Sequence, residues 1–308
     1  MGPHPLFTSE ATPDCRRGWR MSLCNLTAES SCNASLAEEP HRIALLTVYS
    51  VVLLGGSTGI VLMISILKSS LRSLTTIAML NIIVVHLLFL CTVPFRMYYY
   101  VENRWRLSQG FCKVVSGTIH GHMHIAFLFY TIILSIRYHT FYRAVDQLEF
   151  YRKLHAVGAS LVVWAMGLAI GFPVLFFTYS SNSTAEEKCF KFGRQLELDV
   201  GVRILNYIVS FLLVVVAVAL ACCQAHILWR IFRRYGATMY TQQEFGAQKK
   251  SLCFMLVIMV CFVPYHVFRI YYVSHSAHLE DANEVFLSLT ALSCLDTLTF
   301  LDRGMFCI

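Results

Sequence analysis

Charged side chains are scarce in this chain of 308 residues, because Asp, Glu, Lys and Arg together make up only 14% of it. A soluble domain usually carries about 25% charged residues, so this chain has too few to cover a surface that faces water. Its hydrophobic content of 56% and mean hydropathy of +0.59 also exclude a disordered chain, a collagen-like or coiled-coil protein and a small disulfide scaffold. The composition therefore predicts a membrane protein.

Sequence features of several other protein classes are also absent. We find no internal repeat, which disfavours a transporter built from inverted halves. Residues 1–42 contain no apolar run of the length that a cleaved signal peptide needs. There is no nucleophile elbow, phosphate-binding loop or set of carboxylates with metal-ligand spacing. We therefore predict that the protein is not an enzyme, needs no cofactor and binds no nucleic acid.

Long apolar blocks make up about half of the chain. A helix needs about 20 mostly apolar residues to cross a hydrocarbon core that is about 30 Å thick. Strands of a membrane barrel would be shorter and would alternate in polarity, so these blocks predict helices. The seventh block is the shortest and contains Glu284 and Asp296. The predicted spans, numbered 1 to 7 in chain order, are 43–67, 75–95, 111–136, 154–177, 204–228, 252–273 and 284–301.

Three glycosylation sequons indicate the orientation of these spans. Asn25, Asn33 and Asn182 each begin an Asn-x-Ser/Thr tripeptide, and all three lie on the same side of the predicted membrane. This places the N-terminus outside and, after seven spans, the C-terminus inside. We expect a glycosylated and mostly disordered extracellular segment over 1–42, a membrane domain over 43–301 and a short cytoplasmic tail over 302–308. The sequence is compatible with a naturally short tail and with a truncated one.

Cysteines outside the membrane meet an oxidising environment, which favours disulfide bonds. Cys112 lies at the start of span 3, and Cys189 lies in the middle of the connector 178–203. A bond between the two would hold this connector across the mouth of the helix bundle, and we predict that it forms. At least one cysteine of the N-terminal segment is then left over; this segment contains Cys15, Cys24 and Cys32.

Several motifs occur at characteristic places along the spans. Arg137-Tyr138 lies at the inner end of span 3, 25 residues after Cys112. Trp164 lies in span 4, and span 6 contains Cys261-Phe-Val-Pro-Tyr-His-Val-Phe-Arg269. Together these residues resemble the rhodopsin-like (class A) G-protein-coupled receptors over about 43–301. The stretch in span 6 resembles the branch of receptors for nucleotides and lipid mediators. The resemblance implies an all-α membrane protein with a seven-transmembrane helix bundle of the rhodopsin-like receptor type.

The resemblance also implies which residues take part in activation. Arg137 and Tyr138 match the residues that engage the G protein at the inner end of span 3. Phe262 matches the aromatic switch of span 6, and Pro264 is expected to kink that helix because proline cannot donate a helical hydrogen bond. The acidic residue that usually precedes the arginine is Ile136 here. We hypothesise that this change weakens the inactive state and raises basal signalling.

Two polar positions in the bundle core depart from the family. His86 stands where the family usually has the Asp that binds sodium, and the motif of span 7 has Asp296 but lacks its Pro and Tyr. A histidine beside an aspartate can form a charge-assisted pair that replaces a bound cation. We therefore predict a His86–Asp296 pair, a role for Asp296 in activation and no modulation by sodium.

Basic residues are common on the outer side of the predicted bundle. Positive charge in a cavity of low dielectric constant favours an anionic ligand, such as a phosphate or a fatty-acid carboxylate. The alternative is that these residues are rim charges that are neutralised by acidic residues of the loops. Arg269 and His266, nearly one helical turn apart, are the best candidates. The predicted ligand-binding residues are His120, Met123, Arg96, His266 and Arg269.

The run His120-Gly-His122-Met-His124 in span 3 raises the question of a metal site. Only His120 and His124 share a face of the helix, so three ligands cannot converge from this run alone. We predict no metal site. His120 is expected to face the ligand cavity, and His86 and His122 are expected to meet in the core.

Three functions are compatible with the sequence. The leading one is a plasma-membrane receptor that binds an extracellular small ligand, with an anionic nucleotide-like or lipid-like one favoured, and shifts between two helix packings to activate a heterotrimeric G protein. The second is a receptor-fold protein that no longer signals and acts as a decoy or hetero-oligomer partner, given the altered motifs. The third is a transporter or proton channel that uses His86, His122 and Asp296. The expected partners are the G protein, the ligand and membrane lipid.

Overall fold

Helices are the only regular elements in the part of the chain that the computed structural model describes. That part comprises residues 26–67, 74–142, 149–173, 189–190, 200–236, 238, 243–275 and 279–300. The predicted glycosylation sites Asn25 and Asn182 and the predicted tail 302–308 lie outside it, and Asn33 lies within the first helix.

The helices follow the order of the seven predicted spans. Several extend beyond the predicted limits, because a helix can continue past the hydrocarbon core into water. Their bounds are Leu26–Leu67 for span 1; Leu74–Leu90 and Val93–Glu102 for span 2; Gln109–Tyr142 for span 3; Glu149–Pro173 for span 4; Val200–Tyr235 for span 5; Gln243–Val257, Ile258–Phe262 and Val263–Ser274 for span 6; and Glu280–Ala291 with Leu292–Phe300 for span 7.

Five helices of the described residues are long and apolar enough to cross a membrane. Span 4 contributes a shorter apolar helix, Val157–Ala169, and span 7 carries Glu284 and Asp296 in its apolar sequence. Many large apolar side chains point away from the bundle, and Leu54, for example, is 72% exposed. Apolar side chains of this kind are stable against lipid tails, which are apolar too. The helices satisfy their own backbone hydrogen bonds there. The five helices are Pro40–Ser65, Thr76–Glu102, Gln109–Tyr142, Val200–Tyr235 and Gln248–Ser274.

Spans 2 and 6 are both irregular next to a proline. In span 2 the helix breaks at Cys91 and Thr92 and resumes with Pro94 in its first turn, where the missing N–H of proline is not needed. In span 6 the predicted irregularity near Pro264 takes the form of a single π turn, in which the N–H of Val263 bonds to the carbonyl of Ile258. Such π turns often mark functional places in a helix.

The inner half of span 7 is a 3-10 helix over Leu292–Phe300, although this segment contains no proline. Its hydroxyl side chains help to explain this. Ser293 Oγ donates to the carbonyl of Thr290, and Thr297 Oγ1 donates to that of Cys294, each three residues back. These bonds compete with the regular helical pattern and favour the tighter winding.

Span 1 approaches this 3-10 segment closely. A Cβ atom added to Gly59 would overlap Thr297 Oγ1, and one added to Gly55 would overlap the side chain of Leu295. Glycine at these two positions therefore allows the helices to meet at short distance. The contact fixes the position of span 7, which supplies Asp296 to the core.

The predicted disulfide bond between Cys112 and Cys189 is confirmed. It holds the connector residue Phe190 over the bundle, where the ring packs against Tyr99, Tyr100 and Trp105. Phe190 has a φ of 72°, in the left-handed region that residues other than glycine seldom adopt. Packing and the disulfide bond therefore determine the place of this ring, rather than the local backbone preference.

Candidate functional site

Two arginines of the outer half, Arg96 and Arg269, are predicted ligand-binding residues with different surroundings. Arg96 lies in span 2 and is fully buried. Its Nη1 lies 3.5 Å from Oε2 of Glu284 in span 7 and donates to the hydroxyl of Tyr49 at 3.3 Å. Its Nη2 donates to the carbonyl of Val115 at 3.4 Å, so three groups, one from each of spans 1, 3 and 7, surround the guanidinium.

The carboxylate of Glu284 also accepts a hydrogen bond from the Tyr100 hydroxyl, at 2.8 Å. The Phe190 ring covers the other side of the ion pair, with the Arg96 guanidinium carbon 4.3 Å from its centroid. Arg42 donates to the carbonyl of Tyr100 from span 1 at 2.6 Å. Arg96 is therefore paired inside the bundle with a carboxylate of span 7. The acidic residues of the connector 178–203, which the alternative interpretation invoked, lie outside the described residues.

Glu284 was not predicted as a site residue, although the sequence contains a signal for it. It is a carboxylate within a predicted membrane span, and such residues usually pair with another group or serve a function. Its partner could not be named, because the sequence does not specify which face of span 2 meets span 7.

Arg269 lies in span 6 and is half-buried. Its Nε and Nη2 donate to the amide oxygen of Asn206 in span 5 at 3.2 and 3.0 Å, and its Nη1 donates to that of Asn283 in span 7 at 3.0 Å. None of the described carboxylates lies within ion-pairing distance of it. Neutral amides therefore orient this guanidinium and leave its positive charge uncompensated by direct contact.

Histidines of spans 3 and 6 lie below Arg269. His266 is 2% exposed, and neither of its ring nitrogens has a hydrogen-bond partner among the described residues. Its ring centroid lies 6.0 Å from that of His124, whose Nδ1 is bonded to the carbonyl of His120 at 2.8 Å. A buried polar group without a partner is costly, so these nitrogens are suited to meeting a ligand.

The remaining ligand-binding candidates differ in position. His120 is partly exposed on span 3, one turn from His124, whereas Met123 is buried in the hydrophobic core. Three members of this cluster, His124, Asn206 and Asn283, were not among the residues predicted to bind the ligand. Asn206 inside predicted span 5 and Asn283 directly before predicted span 7 are a usable signal, since a polar side chain in the bundle needs a hydrogen-bond partner.

The bundle core contains a second polar group of residues, as the sequence analysis expected. Nε2 of His86 lies 3.3 Å from Oδ1 of Asp296, and Nδ1 of His86 lies 2.9 Å from Nε2 of His122. The Tyr130 hydroxyl donates to Oδ2 of Asp296 at 2.6 Å. Tyr130 was not predicted; it connects span 3 to the carboxylate of span 7.

The residues predicted to act in activation extend from this core to the inner end of the bundle. Phe262 is fully buried beside the π turn, and its ring centroid lies 6.0 Å from those of Phe127 and Tyr130. Phe262 thus connects span 6 to Tyr130, whose hydroxyl donates to the carboxylate of Asp296. Arg137 and Tyr138 are half-buried at the inner end of span 3.

Comparisons with known proteins agree with this arrangement. The model of the family "7 transmembrane receptor (rhodopsin family)" matches residues 57–297. Probable G-protein coupled receptor 141 from Homo sapiens is 41% identical over 289 residues, which cover 91% of this chain and 93% of that protein. Probable G-protein coupled receptor 34 from Mus musculus is 26% identical over 272 residues, covering 83% and 72% of the two chains. 2-oxoglutarate receptor 1 from Rattus norvegicus is 26% identical over 266 residues, covering 82% and 77%.

Proposed function

Because the chain belongs to the rhodopsin family of seven-transmembrane G-protein-coupled receptors, we propose that it binds an extracellular anionic small ligand at Arg269 and thereby activates a heterotrimeric G protein. Family membership itself confirms the predicted receptor class and seven-helix fold, and the protein is a receptor and not an enzyme. The ligand class, the extracellular N-terminus, the cytoplasmic C-terminus and the place in the plasma membrane belong to the proposal.

The uncompensated charge of Arg269 is the observation that carries the ligand class. In a medium of low dielectric constant, a guanidinium that contacts amide oxygens and the ring of Tyr272, but none of the described carboxylates, still attracts a carboxylate or a phosphate strongly. The amides of Asn206 and Asn283 keep the guanidinium in one orientation before the ligand arrives. This preorganisation lowers the entropy lost on binding.

The histidines below Arg269 supply the second part of the proposed site. His266 and His124 present ring nitrogens and apolar ring faces at a buried position, so they fit the polar middle of a small ligand whose anionic group binds Arg269. His120 extends the same surface along span 3. A ligand there would touch the helix that carries Pro264 and the π turn, and it could change the position of the inner half of span 6.

One relative supports this ligand chemistry by its name. The receptor named for 2-oxoglutarate is named for a dicarboxylate, and it shares 26% identity with this chain. Nucleotide-like and lipid-like ligands also carry the anionic group that Arg269 requires. We therefore propose the charge of the ligand and leave its skeleton to be found by screening.

The test is a G-protein activation screen in cells with dicarboxylates, nucleotides and N-acyl amino acids. Compounds that activate the wild type are then applied to Arg269→Gln, with Arg203→Gln as the control, since Arg203 is another half-buried arginine on the outer side. We expect Arg269→Gln to lose the response at equal surface expression and Arg203→Gln to keep it. An active anionic compound whose potency is the same in Arg269→Gln would refute the site.

Signalling itself is tested without any ligand. Basal G-protein activation is compared between the wild type and Arg137→Ala at matched surface expression. A lower signal in the variant supports coupling through Arg137. Equal signals at background in both, together with a screen in which no compound activates the wild type, would favour the receptor-fold protein that no longer signals.

A further inference from the structure

Three metal-binding side chains from three different spans converge next to Asp296. They are His86 of span 2, His122 of span 3 and Cys294 of span 7, and all are buried. Their ligand atoms, one from each residue, lie within 4.8 Å of one another. Imidazole and thiolate together favour zinc and other soft or borderline metal ions over sodium, magnesium or calcium.

The distances between these atoms suit such an ion. Zinc binds nitrogen at about 2.0–2.1 Å and sulfur at about 2.3 Å, so tetrahedral ligands lie about 3.3 Å apart for two nitrogens and about 3.6 Å apart for nitrogen and sulfur. In the structure Nδ1 of His86 lies 2.9 Å from Nε2 of His122, and Nε2 of His122 lies 3.5 Å from Sγ of Cys294. Widening the nitrogen pair by about 0.4 Å brings it to the tetrahedral spacing, and the third pair, His86 with Cys294, lies within 4.8 Å.

The groups around the cluster match the surroundings of a ligating histidine. Such a histidine usually donates its second N–H to a carboxylate, which orients the ring and sets the tautomer. Nε2 of His86 lies 3.3 Å from Oδ1 of Asp296, which leaves the lone pair of Nδ1 for the metal. The hydroxyl of Tyr130 holds the same carboxylate at 2.6 Å.

The charges also balance when a metal ion is present. Binding releases the proton of the Cys294 thiol, and the resulting thiolate and the carboxylate of Asp296 together compensate the double positive charge of a zinc ion. With neutral histidines the site is neutral as a whole, as a buried group of charges must be.

We propose that His86, His122 and Cys294 bind one zinc ion that joins spans 2, 3 and 7 in the bundle core. This site was not expected from the sequence, because the run from His120 to His124 supplies only one of its three ligands. His124 is turned towards the carbonyl of His120 and takes no part. The other two ligands come from distant parts of the chain.

The test uses the purified full-length chain in detergent, treated with a chelator and then titrated with Co²⁺ as a spectroscopic substitute for zinc. We expect a thiolate-to-cobalt charge-transfer band in the near ultraviolet and ligand-field bands in the visible range, both of which disappear when Zn²⁺ is added. Cys261→Ala is the matched control, because Cys261 is also a buried free thiol of the bundle. The bands should persist in this variant and be absent from Cys294→Ala.

Thermal unfolding provides a second measurement that needs neither the ligand nor a G protein. Saturating Zn²⁺ should raise the melting temperature of the wild type and of Cys261→Ala by about 5 °C, and should leave that of Cys294→Ala unchanged. A wild-type chain without cobalt bands refutes the proposal whatever the variants do. Equal bands in Cys294→Ala refute it too, because the cobalt-bound thiolate would then belong to another cysteine.

Discussion

Arg96 and Arg269 are both arginines of the outer half of the bundle, yet their surroundings give them different roles. Both guanidiniums lie over an aromatic ring, but Arg96 has a carboxylate partner at 3.5 Å, whereas Arg269 has two amide oxygens at 3.0 Å. A carboxylate cancels the charge that it contacts, and an amide only orients it. The first arginine therefore stabilises the packing of spans 2 and 7, and the second remains attractive to an anion.

The comparison shows that the number of basic residues in a vestibule is a poor guide to its ligand. Each buried cation must be assigned a partner before its charge is counted as available. Arg96 is fully buried, and an incoming anion would have to displace the Glu284 carboxylate from it. The Tyr100 hydroxyl holds that carboxylate in place. We therefore expect Arg269, and not Arg96, to determine ligand charge.

The largest effect is expected for Glu284→Ala, which leaves the Arg96 charge buried without its carboxylate. Removing one partner of a buried ion pair costs about 3–5 kcal/mol, so the purified variant should unfold at a much lower temperature and reach the cell surface poorly. Glu102→Ala is the control: Glu102 pairs with the exposed Arg106, and such surface pairs contribute about 1 kcal/mol or less. Similar melting temperatures for the two variants would contradict a structural role for Glu284.

A double variant makes this prediction more specific. Arg96→Met combined with Glu284→Met removes both charges and keeps apolar volume in the core. It should recover most of the stability that Glu284→Ala loses, because apolar replacement of a whole buried pair is often neutral or better. If the double variant is as unstable as the single one, the ion pair is not the cause.

The next effect concerns Arg269→Gln, which should change signalling far more than stability. Loss of a charge-assisted contact corresponds to about 1.5–3 kcal/mol, or roughly 10- to 100-fold in the potency of an anionic ligand. The melting temperature should fall less than in Arg96→Gln, because the glutamine amide can still donate to an asparagine oxygen and no buried carboxylate loses its cation. Concentration–response curves and thermal unfolding on the same preparations would distinguish the ligand-binding role of Arg269 from the structural role of Arg96. Equal losses of stability in Arg269→Gln and Arg96→Gln would contradict this difference in roles.

A smaller effect on stability is expected in the bundle core, where the Tyr130 hydroxyl and the ring of His86 lie next to the carboxylate of Asp296. Tyr130→Phe removes the hydroxyl that donates to Oδ2 of Asp296 but keeps the ring against Phe262. We expect a loss of about 1.5 kcal/mol in the free energy of unfolding, the lower end for a hydrogen bond to a charged group. Chemical or thermal unfolding measures it, and Tyr98→Phe, on the partly exposed outer part of span 2, is the control. No difference between the two variants would mean that the hydroxyl does not stabilise the carboxylate.

The smallest effect is expected at the inner end of span 3. Ile136→Asp places a carboxylate directly before Arg137 and adds an ion-pair partner that favours the inactive packing. At a partly exposed position such a pair contributes about 0.5–1 kcal/mol, which corresponds to a two- to fivefold decrease in basal G-protein activation. Ile136→Asn, similar in size but uncharged, should have little effect. Equal basal activity in the wild type and Ile136→Asp would show that the acidic neighbour is not needed.

The sequence alone was sufficient for the class of the protein, its spans and its disulfide bond. Long apolar runs must form helices in lipid, since no water is present to satisfy the backbone, and this depends only on local sequence. The pairing of Cys112 with Cys189 and the meeting of His86 with Asp296 were also expected from the motifs. A kink of span 6 was expected from Pro264, whereas the 3-10 winding of span 7 was not, because that segment has no proline and its hydroxyl side chains bond to carbonyls three residues back.

Only the tertiary structure decided which polar groups meet. The Tyr100 hydroxyl and the Glu284 carboxylate are 184 positions apart in the chain, and their contact depends on how far spans 2 and 7 rotate and approach. The same holds for the asparagines at Arg269 and for the convergence of His86, His122 and Cys294. Helix periodicity tells which residues share a face of one span, but the direction of that face results from the packing of all the helices together. For this reason the sequence determines which charges lie within the membrane, and the fold determines which of them remain available to a ligand.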